Sequence, residues 1–234
     1  MEENYIKTSN YRYERKSFIT ELSIYEVENL VKLHPDIFSE IYYKRVINNI
    51  YFDSYNLINF RENVDGVTDR VKIRIRWYGN LFGYIEKPIL EIKIKKGLLG
   101  KKISVPIKPF SFKNEINISD ILKSIEYLEE FLLIDLKSIK PSLVNRYARK
   151  YYQSSNKKFR ITLDNEQSFL SINKRNNTFL NRYFDDRTVI FELKYDQEFE
   201  QEANYVTSKF PFRITKSSKY VNGVQKILQT FFLN

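Results

Sequence analysis

The chain has 234 residues, of which 42% are hydrophobic and 16% aromatic, so it is long and apolar enough to bury a substantial core. It carries 39 Lys and Arg against 29 Asp and Glu, and the formal net charge of +10 favours polyanionic partners such as nucleic acid, an anionic membrane surface or a phosphate-rich small molecule. The lack of Cys and the single His exclude a zinc site and a cysteine nucleophile. No apolar run approaches the ~18 residues of a membrane span and no signal-peptide segment is present, so we expect a cytoplasmic protein.

The predicted elements are mostly β-strands in which charged and apolar residues alternate, giving each strand one charged and one apolar face. The clearest is DRVKIRIRWYG at 69–79, whose charged face carries four cations and no acid: Arg70, Lys72, Arg74 and Arg76. The other strands are predicted, in chain order, at YRYERKSF (11–18), RVINNIYFD (45–53), ILEIKIK (89–95), KKISVPI (101–107), VNRYARKYY (144–152), KFRITLD (158–164) and VIFELKY (189–195). About eight strands are enough to close into a barrel.

Four amphipathic helices are predicted alongside these strands. The first begins at Ser23, where a capping box with Glu26 marks a helix N-terminus. The others are predicted from about residue 119, over 197–209, and from about 218 to the end. Because each helix must bury its apolar stripe, we expect the helices to cover the apolar strand faces, which leaves the charged faces on the other side of the sheet.

Two arrangements of the charged faces remain open at this point. In an open sheet they face solvent, nucleic acid or anionic lipid. In a closed barrel they line the interior, which then holds water and anions, since so many cations cannot form a dry core. The repetition of the pattern over six strands favours the barrel. We therefore predict an α+β fold in a single domain over 1–234, with a roughly eight-stranded antiparallel tunnel β-barrel, a basic polar lumen and flanking amphipathic helices.

Eight motifs in this order resemble a known family: YRYERK (11–16), NNIYFDS (48–54), KIRIRWYG (72–79), LEIKIKKG (90–97), NRYARKYY (145–152), FRITLD (159–164), FELKY (191–195) and ITKSSKYVNG (214–223). Together they resemble the VTC domain, the polyphosphate polymerase module of the triphosphate tunnel metalloenzyme (CYTH-like) superfamily. The resemblance covers nearly the full chain. No single motif is specific, whereas the ordered set is.

The resemblance implies a basic tunnel that binds a nucleoside triphosphate and a phosphate chain beside Mn²⁺ or Mg²⁺. By analogy with the family, the phosphate ligands are Lys16, Arg74, Arg76, Lys93, Lys102, Arg146, Lys216 and Lys219, and we assign catalytic roles to Arg74, Arg76, Lys93, Arg146 and Lys219. Lys72, Lys150, Arg160 and Lys194, on charged faces of the predicted strands, complete the predicted cationic set.

The remaining polar positions have assigned or alternative roles. Glu192 matches the family's metal-binding glutamate. Glu14 is either a second carboxylate near the metal or a salt-bridge partner of a tunnel cation. Ser218 is either a phosphate ligand, in the family motif, or the N-cap of the last helix. Glu91 is expected to balance Lys93 and Lys95 on its own strand.

The activity implied by the resemblance is transfer of the γ-phosphate of ATP to a growing inorganic polyphosphate chain, with pyrophosphate as a primer and ADP as a product. The attacking phosphate oxygen is already ionised, so no strong general base is required. The wider superfamily's N-terminal signature carries two acids before its lysine, and here Arg12 stands at the first of those places. This departure favours the VTC branch over a simple triphosphatase.

Two other functions remain open. One is a tunnel triphosphatase or polyphosphatase, with water as the nucleophile. The other is a non-catalytic module that binds polyphosphate, RNA or anionic lipid. No specific nucleic acid is expected, because Trp77 lies on the opposite strand face from Arg74 and Arg76, whereas stacking platforms combine aromatics and cations. We expect membrane coupling only through another chain, and the oligomeric state is left open.

Overall fold

The structure is a computed structural model that describes residues 7–9, 12–96, 99–113, 121, 138–172, 179, 181–215 and 218–232. Its strands are β1 (Lys7–Ser9), β2 (Arg12–Ile19), β3 (Ser39–Ser54), β4 (Arg70–Tyr78), β5 (Gly83–Ile85), β6 (Ile89–Lys96), β7 (Leu99–Pro106), β8 (Phe110–Phe112), β9 (Ile139–Gln153), β10 (Arg160–Ser171), β11 (Arg182–Asp185) and β12 (Val189–Asp196). Its α-helices are α1 (Ile24–Lys32), α2 (Ile58–Val64), α3 (Glu200–Ser208) and α4 (Lys219–Phe232). The helix predicted from about residue 119 lies outside the described residues apart from a single helical position at 121.

Ten strands form one antiparallel sheet in the order β1-β7-β6-β4-β3-β9-β10-β12-β2, with β11 also paired to β10. Eight of them have eight or more residues, namely β2, β3, β4, β6, β7, β9, β10 and β12. The edge strands β1 and β2 are consecutive in the chain, and the three peptide units from Ser9 to Arg12 span at most about 11 Å. The sheet must therefore curl until its edges approach, and the predicted α+β fold on about eight antiparallel strands is confirmed as a curled half-barrel.

The outer face of the half-barrel is apolar and covered, as the alternation predicted. α1 and α3 pack on the outer face of β10 and β12, where Val27 and Val206 join a core that includes Ile161 and Leu193. The predicted capping box begins α1: the Ser23 hydroxyl accepts from the backbone N–H of Glu26, whose carboxylate accepts from the backbone N–H of Ser23. A second outer core around the buried Trp77 lies between β3, β4, β6, β7 and the small two-stranded sheet of β5 and β8.

Helix α4 occupies a different position, because it packs against the inner face at one end of the half-barrel. It contacts Leu143 and Phe169, and a Cβ atom added at Gly223 would lie 2.4 Å from Cδ1 of Phe169 and 2.5 Å from Cδ2 of Leu143. The Tyr220 hydroxyl fixes the helix by donating to Asp53 Oδ2 at 2.5 Å. Glycine thus allows α4 to approach the sheet closely and brings its N-terminus into the half-barrel. None of the helices in the described part of the chain is long and apolar enough to cross a membrane.

Candidate phosphate-binding lumen

The inner face of the half-barrel, which we call the lumen, encloses a pocket lined mainly by charged side chains. Its cations are Lys16, Lys72, Arg74, Arg76, Lys93, Lys102, Arg149, Lys194 and Lys219. Its other lining residues are Glu14, Glu91, Glu192, Tyr51, Tyr147, Ile190 and Ser218. Nine cations against three carboxylates leave a formal excess of six positive charges. Concentrating that excess in a partly desolvated space is unfavourable without a polyanion, so the lining is suited to bind one.

The pocket brings together nine of the thirteen predicted phosphate ligands, and both predicted metal carboxylates: Lys16, Lys72, Arg74, Arg76, Lys93, Lys102, Lys194, Ser218 and Lys219, with Glu14 and Glu192. Four predicted ligands are not in this lining. Lys216 lies outside the described residues. Arg160 shares the inner face of β10 with Thr162 and Asp164 by alternation, but it stands at the first residue of the strand, beyond the pocket.

The expected placement of Arg146 and Lys150 in the lumen is corrected by the structure. On β9 the lumen residues are Tyr147 and Arg149, so alternation directs Arg146 and Lys150 to the outer face. Lys150 Nζ lies 2.5 Å from Oε1 of Glu28, on the covering helix α1. Arg149 therefore occupies the lumen position that the sequence analysis gave to Arg146.

Four residues at the lumen were not identified from the sequence: Tyr51, Tyr147, Arg149 and Asp164. The signal for two of them was present but ambiguous, because both faces of β9 carry polar side chains, with Tyr147 and Arg149 on one face and Arg146 and Lys150 on the other. Asp164 stands on β10, on the charged face that the alternation of KFRITLD predicts. Tyr51 stands in an otherwise apolar segment, RVINNIYFD, and nothing in the sequence marks it as a lumen residue.

Glu91 organises the first of two charge clusters. It lies opposite Arg74 in the β4–β6 pairing, and Arg74 donates to Oε2 through Nε at 2.8 Å and lies within 2.6 Å through Nη2. Oε1 accepts from Lys102 Nζ at 2.5 Å and from Arg76 Nη1 at 3.4 Å. Burial raises the pKa of Glu91, but its three cationic partners outweigh burial and hold that pKa well below the ordinary value. The expected pairing of Glu91 with its strand neighbour Lys93 is therefore wrong.

The second charge cluster surrounds Glu192 and Asp164. Glu192 lies 3.0 Å from Lys16 Nζ, 3.1 Å from Lys194 Nζ and 3.6 Å from Lys219 Nζ. Asp164 accepts from Arg149 in a bidentate arrangement, at 2.5 and 2.6 Å, and also pairs with Lys219. Burial raises the pKa of Glu192, but the surrounding lysines and Arg149 hold it well below the ordinary value. Both carboxylates are thus ionised and fix the directions of the cations.

Glu14 connects the two walls of the lumen. From β2 it lies 3.6 Å from Lys93 on β6, and it also lies 3.2 Å from Lys16 and 3.4 Å from Lys194. Burial and the charge of Glu192 raise the pKa of Glu14, but the three lysines outweigh both and lower it to about 2. The salt-bridge role considered for Glu14 is therefore present, and the carboxylate remains close enough to Glu192 for the two charges to interact.

Glu14 and Glu192 fit part of a divalent metal site. Both are ionised and share the same two neighbours, Lys16 and Lys194. Mg²⁺ and similar hard cations bind oxygen, and one or two carboxylates suffice when substrate phosphates supply the remaining ligands. Within the described residues, no group of three or more His, Cys, Asp or Glu side chains is arranged to hold a metal. The donor set therefore fits a metal that binds together with phosphate.

Three lumen lysines, Lys72, Lys93 and Lys102, have lowered pKa values, and those of Lys72 and Lys93 are lowered most. Burial lowers the pKa of Lys72 to about 7, assisted by the nearby charges of Arg70 and Lys16. The charge of Glu14 raises the pKa of Lys93, but burial and the neighbouring lysines outweigh it and lower that pKa to about 8. Lys72 Nζ donates to the Ser218 hydroxyl at 2.9 Å. The amines of Lys72 and Lys93 are therefore partly neutral near pH 8, and each gains a proton when a polyanion binds.

We expect tripolyphosphate binding at pH 8 to be accompanied by proton uptake, and Lys72→Gln to take up about one proton fewer. Above pH 7 the free Lys72 amine is mostly neutral, whereas a bound phosphate favours its ammonium form, so its contribution to affinity falls as the pH rises. Titration calorimetry in buffers of different ionisation enthalpy counts the protons. Tripolyphosphate itself takes up or releases protons, and this contribution cancels when the variant is compared with the wild type. Equal proton uptake by the two proteins would contradict the role of Lys72 as the group that gains the proton.

Three solved structures are similar to the chain over most of its length. A candidate adenylate cyclase from Bacillus halodurans has a TM-score of 0.51 and 12% identity, over 89% of this chain and 94% of that one. A candidate adenylate cyclase from Vibrio parahaemolyticus has a TM-score of 0.49 and 10% identity, over 94% and 98%. A candidate adenylyl cyclase from Hippeastrum, described as having a dominant triphosphatase activity, has a TM-score of 0.49 and 12% identity, over 90% and 93%. At such identities the likeness concerns the fold alone. The Bacillus halodurans structure supports the half-barrel.

Sequence comparison identifies the family. No curated protein sequence matches the chain. The sequence model of the VTC domain, however, matches residues 11–228, a span that contains β2 to β12 and most of α4. That span also contains every described residue of the lumen. The chain therefore belongs to the VTC domain family.

Proposed function

We propose that this chain is a metal-dependent polyphosphate polymerase, which transfers the γ-phosphate of ATP to an inorganic polyphosphate chain and releases ADP. The observation that carries the proposal is the lumen itself, in which buried carboxylates hold an excess of cations around a space open to a phosphate chain. Membership of the VTC domain family supports the same conclusion. Pyrophosphate or a short polyphosphate would serve as the acceptor.

The residues of the lumen have separate roles in this proposal. Arg74 and Arg76, held by Glu91, bind phosphate oxygens in fixed directions. Lys219 and Arg149, held by Asp164, stabilise the charge that develops on the transferred phosphoryl group. Because these cations are oriented before the substrate arrives, little reorganisation is needed at the moment of reaction. Arg149 takes the catalytic role that the sequence analysis gave to Arg146.

Glu192, with Glu14 beside it, would hold Mn²⁺ or Mg²⁺. When bound, such a metal neutralises phosphate charge and helps to align the reacting groups. The protein's own contribution at this position is to keep two carboxylates ionised beside Lys16 and Lys194, as their lowered pKa values indicate. The Ser218 hydroxyl accepts a hydrogen bond from Lys72 and lines the pocket directly before the first residue of α4.

The state of the lumen carboxylates favours transfer to a phosphate chain over hydrolysis. Glu14, Glu91 and Glu192 all have pKa values well below the ordinary 4.5, so each is a weak base. Such a carboxylate is a poor general base for a water nucleophile, whereas a terminal phosphate oxygen attacks in its ionised form and needs no base. Arg12 stands at a position where the wider superfamily carries an acid, and this departure also favours transfer to a phosphate chain over hydrolysis.

We expect incubation with ATP and Mn²⁺ or Mg²⁺, with and without pyrophosphate, to yield a polyphosphate ladder on a polyacrylamide gel together with ADP. Arg74→Ala should reduce the ladder by a factor on the order of 100, since a donor that holds the phosphate oxygens in a fixed direction is lost. Arg146→Ala, on the outer face of β9, is the matched control and should retain it. Free phosphate without a ladder would instead favour a hydrolase, and binding without either product would favour a non-catalytic module.

A further inference from the structure

Three tyrosines and one arginine form a cluster just beyond the phosphate-binding pocket: Tyr42, Arg45, Tyr78 and Tyr151. We call this cluster the tyrosine platform. The Arg45 guanidinium carbon lies 4.5 Å from the ring centroid of Tyr42, 5.6 Å from that of Tyr151 and 5.8 Å from that of Tyr78. The rings of Tyr42 and Tyr151 meet edge to face at 5.6 Å.

The platform lies on the same inner face as the lumen cations. Tyr78 follows Arg76 by two residues on β4, and Tyr151 follows Arg149 by two residues on β9, so alternation keeps each pair on one side of the sheet. Arg149 also connects the two regions directly, since its guanidinium carbon lies 5.9 Å from the Tyr151 ring. Aromatic and cationic groups therefore share the inner face of the half-barrel at the tyrosine platform, although Trp77 lies on the outer face.

The platform stands at the end of the lumen opposite to α4. Along β9 the chain runs from Leu143, packed on α4, through Tyr147 and Arg149 in the pocket, to Tyr151. β4 runs the same course, from Lys72 beside Ser218 to Tyr78. Each step of two residues advances roughly 7 Å along a strand. A ligand with a phosphate chain and a planar group would thus place its phosphates in the pocket and its planar group at the platform.

The rings are accessible to such a group. Tyr42 is 44% exposed and Tyr78 is 48% exposed, so part of each aromatic surface is open to solvent. Aromatic faces bind nucleobases by stacking, and an arginine beside them contributes charge and hydrogen-bond donors. Inorganic polyphosphate offers no planar group, so the platform has no use for that ligand.

We propose that the tyrosine platform binds the base of the nucleoside triphosphate whose phosphates occupy the lumen. This inference rests on the proposed function for the identity of the ligand, and it adds a site that distinguishes a nucleotide from an inorganic phosphate chain. Tyr78 and Tyr42 supply the stacking surface, and Arg45 holds the rings together and faces the edge of the base.

The test compares the affinities for ATP and inorganic tripolyphosphate, measured by titration calorimetry without added metal so that no turnover occurs. Tyr78→Ala should weaken ATP binding about tenfold and leave tripolyphosphate binding within twofold of the wild type. Tyr42→Ala should act in the same direction. Tyr43→Ala is the matched control, because Tyr43 is adjacent to Tyr42 on β3 and 95% exposed, and it should alter neither affinity.

Two results would overturn the platform: no loss of ATP binding in either variant, or an equal loss for both ligands. Failure to fold is recognised separately, by circular dichroism of each variant, so an equal loss of both affinities in a folded variant counts against the platform. A wild-type chain that binds both ligands but makes no polyphosphate would contradict the proposed function alone, because only the ratio of the two affinities reports on the platform.

Discussion

Glu192→Gln is expected to lower ATP turnover at least a hundredfold while leaving tripolyphosphate binding equal or tighter. The glutamate is buried, lies within 3.6 Å of Lys16 and Lys219, and is the carboxylate we assign to the metal. The amide cannot neutralise these cations or bind a hard cation strongly, so their alignment with the reacting phosphates is lost. The formal excess of positive charge in the pocket rises from six to seven, which keeps a polyanion bound.

The control for this substitution is Glu28→Gln. Glu28 is also buried and paired with a lysine, Lys150, but it lies on α1 outside the lumen. Its loss should reduce stability without reducing turnover. Turnover, tripolyphosphate affinity and the Mn²⁺ concentration for half-maximal activity would be measured for both variants. If Glu192→Gln keeps its turnover, the carboxylate is a structural counter-ion and the metal assignment is wrong.

The alternation of charged and apolar residues was sufficient to predict the half-barrel. In strands such as β4 and β12 the two faces differ strongly, since Ile73, Ile75 and Trp77 are buried outside while Arg74 and Arg76 face inward. When the two faces of a strand differ this strongly, only one orientation is favourable, with the apolar face against the covering helices or the two-stranded sheet of β5 and β8. The eight long strands and most of the lumen cations follow from that rule.

β9 shows where the rule fails. Its two faces are almost equally polar, because Arg146 and Lys150 alternate with Tyr147 and Arg149. The outer pair is tolerated through tertiary contacts, such as that of Lys150 with Glu28 of α1. The orientation of β9 depends on its neighbour β10, where Asp164 lies opposite Arg149 in the register of the two strands. That register cannot be derived from the pattern of either strand alone.

The pairing of Glu91 was mispredicted for a geometric reason. Residues two apart on a strand, such as Glu91 and Lys93, are separated by roughly 7 Å, whereas directly opposite residues on neighbouring strands lie about 5 Å apart. Cross-strand neighbours therefore determine ion pairs in a sheet, and the neighbour of Glu91 on β4 is Arg74. The sequence contained both residues, and only the strand register joined them.

Glu91→Gln is expected to destabilise the ligand-free protein by about 3 kcal/mol, because removing one member of a buried ionic group leaves its partners uncompensated. Glu91 is buried and neutralises three cations: Arg74, Arg76 and Lys102. Urea unfolding would measure the loss. Since the pKa of Glu91 is held far below 4.5, its stabilisation is complete at neutral pH and lost on acidification, and the difference between variant and wild type should shrink below about pH 4.5.

Tripolyphosphate should restore the stability of Glu91→Gln, since a bound polyanion takes over the charge that the carboxylate no longer provides. A ligand that binds only the folded state stabilises it by RT ln(1 + [L]/Kd), and the increase should be larger in the variant than in the wild type. Glu202→Gln is the comparison, because Glu202 forms an exposed pair with Lys158 and should cost less than about 1 kcal/mol, with no added response to phosphate. An equal response in all three proteins would mean that Arg74 and Arg76 do not bind phosphate, and that Glu91 stabilises the sheet without preparing the lumen for a ligand.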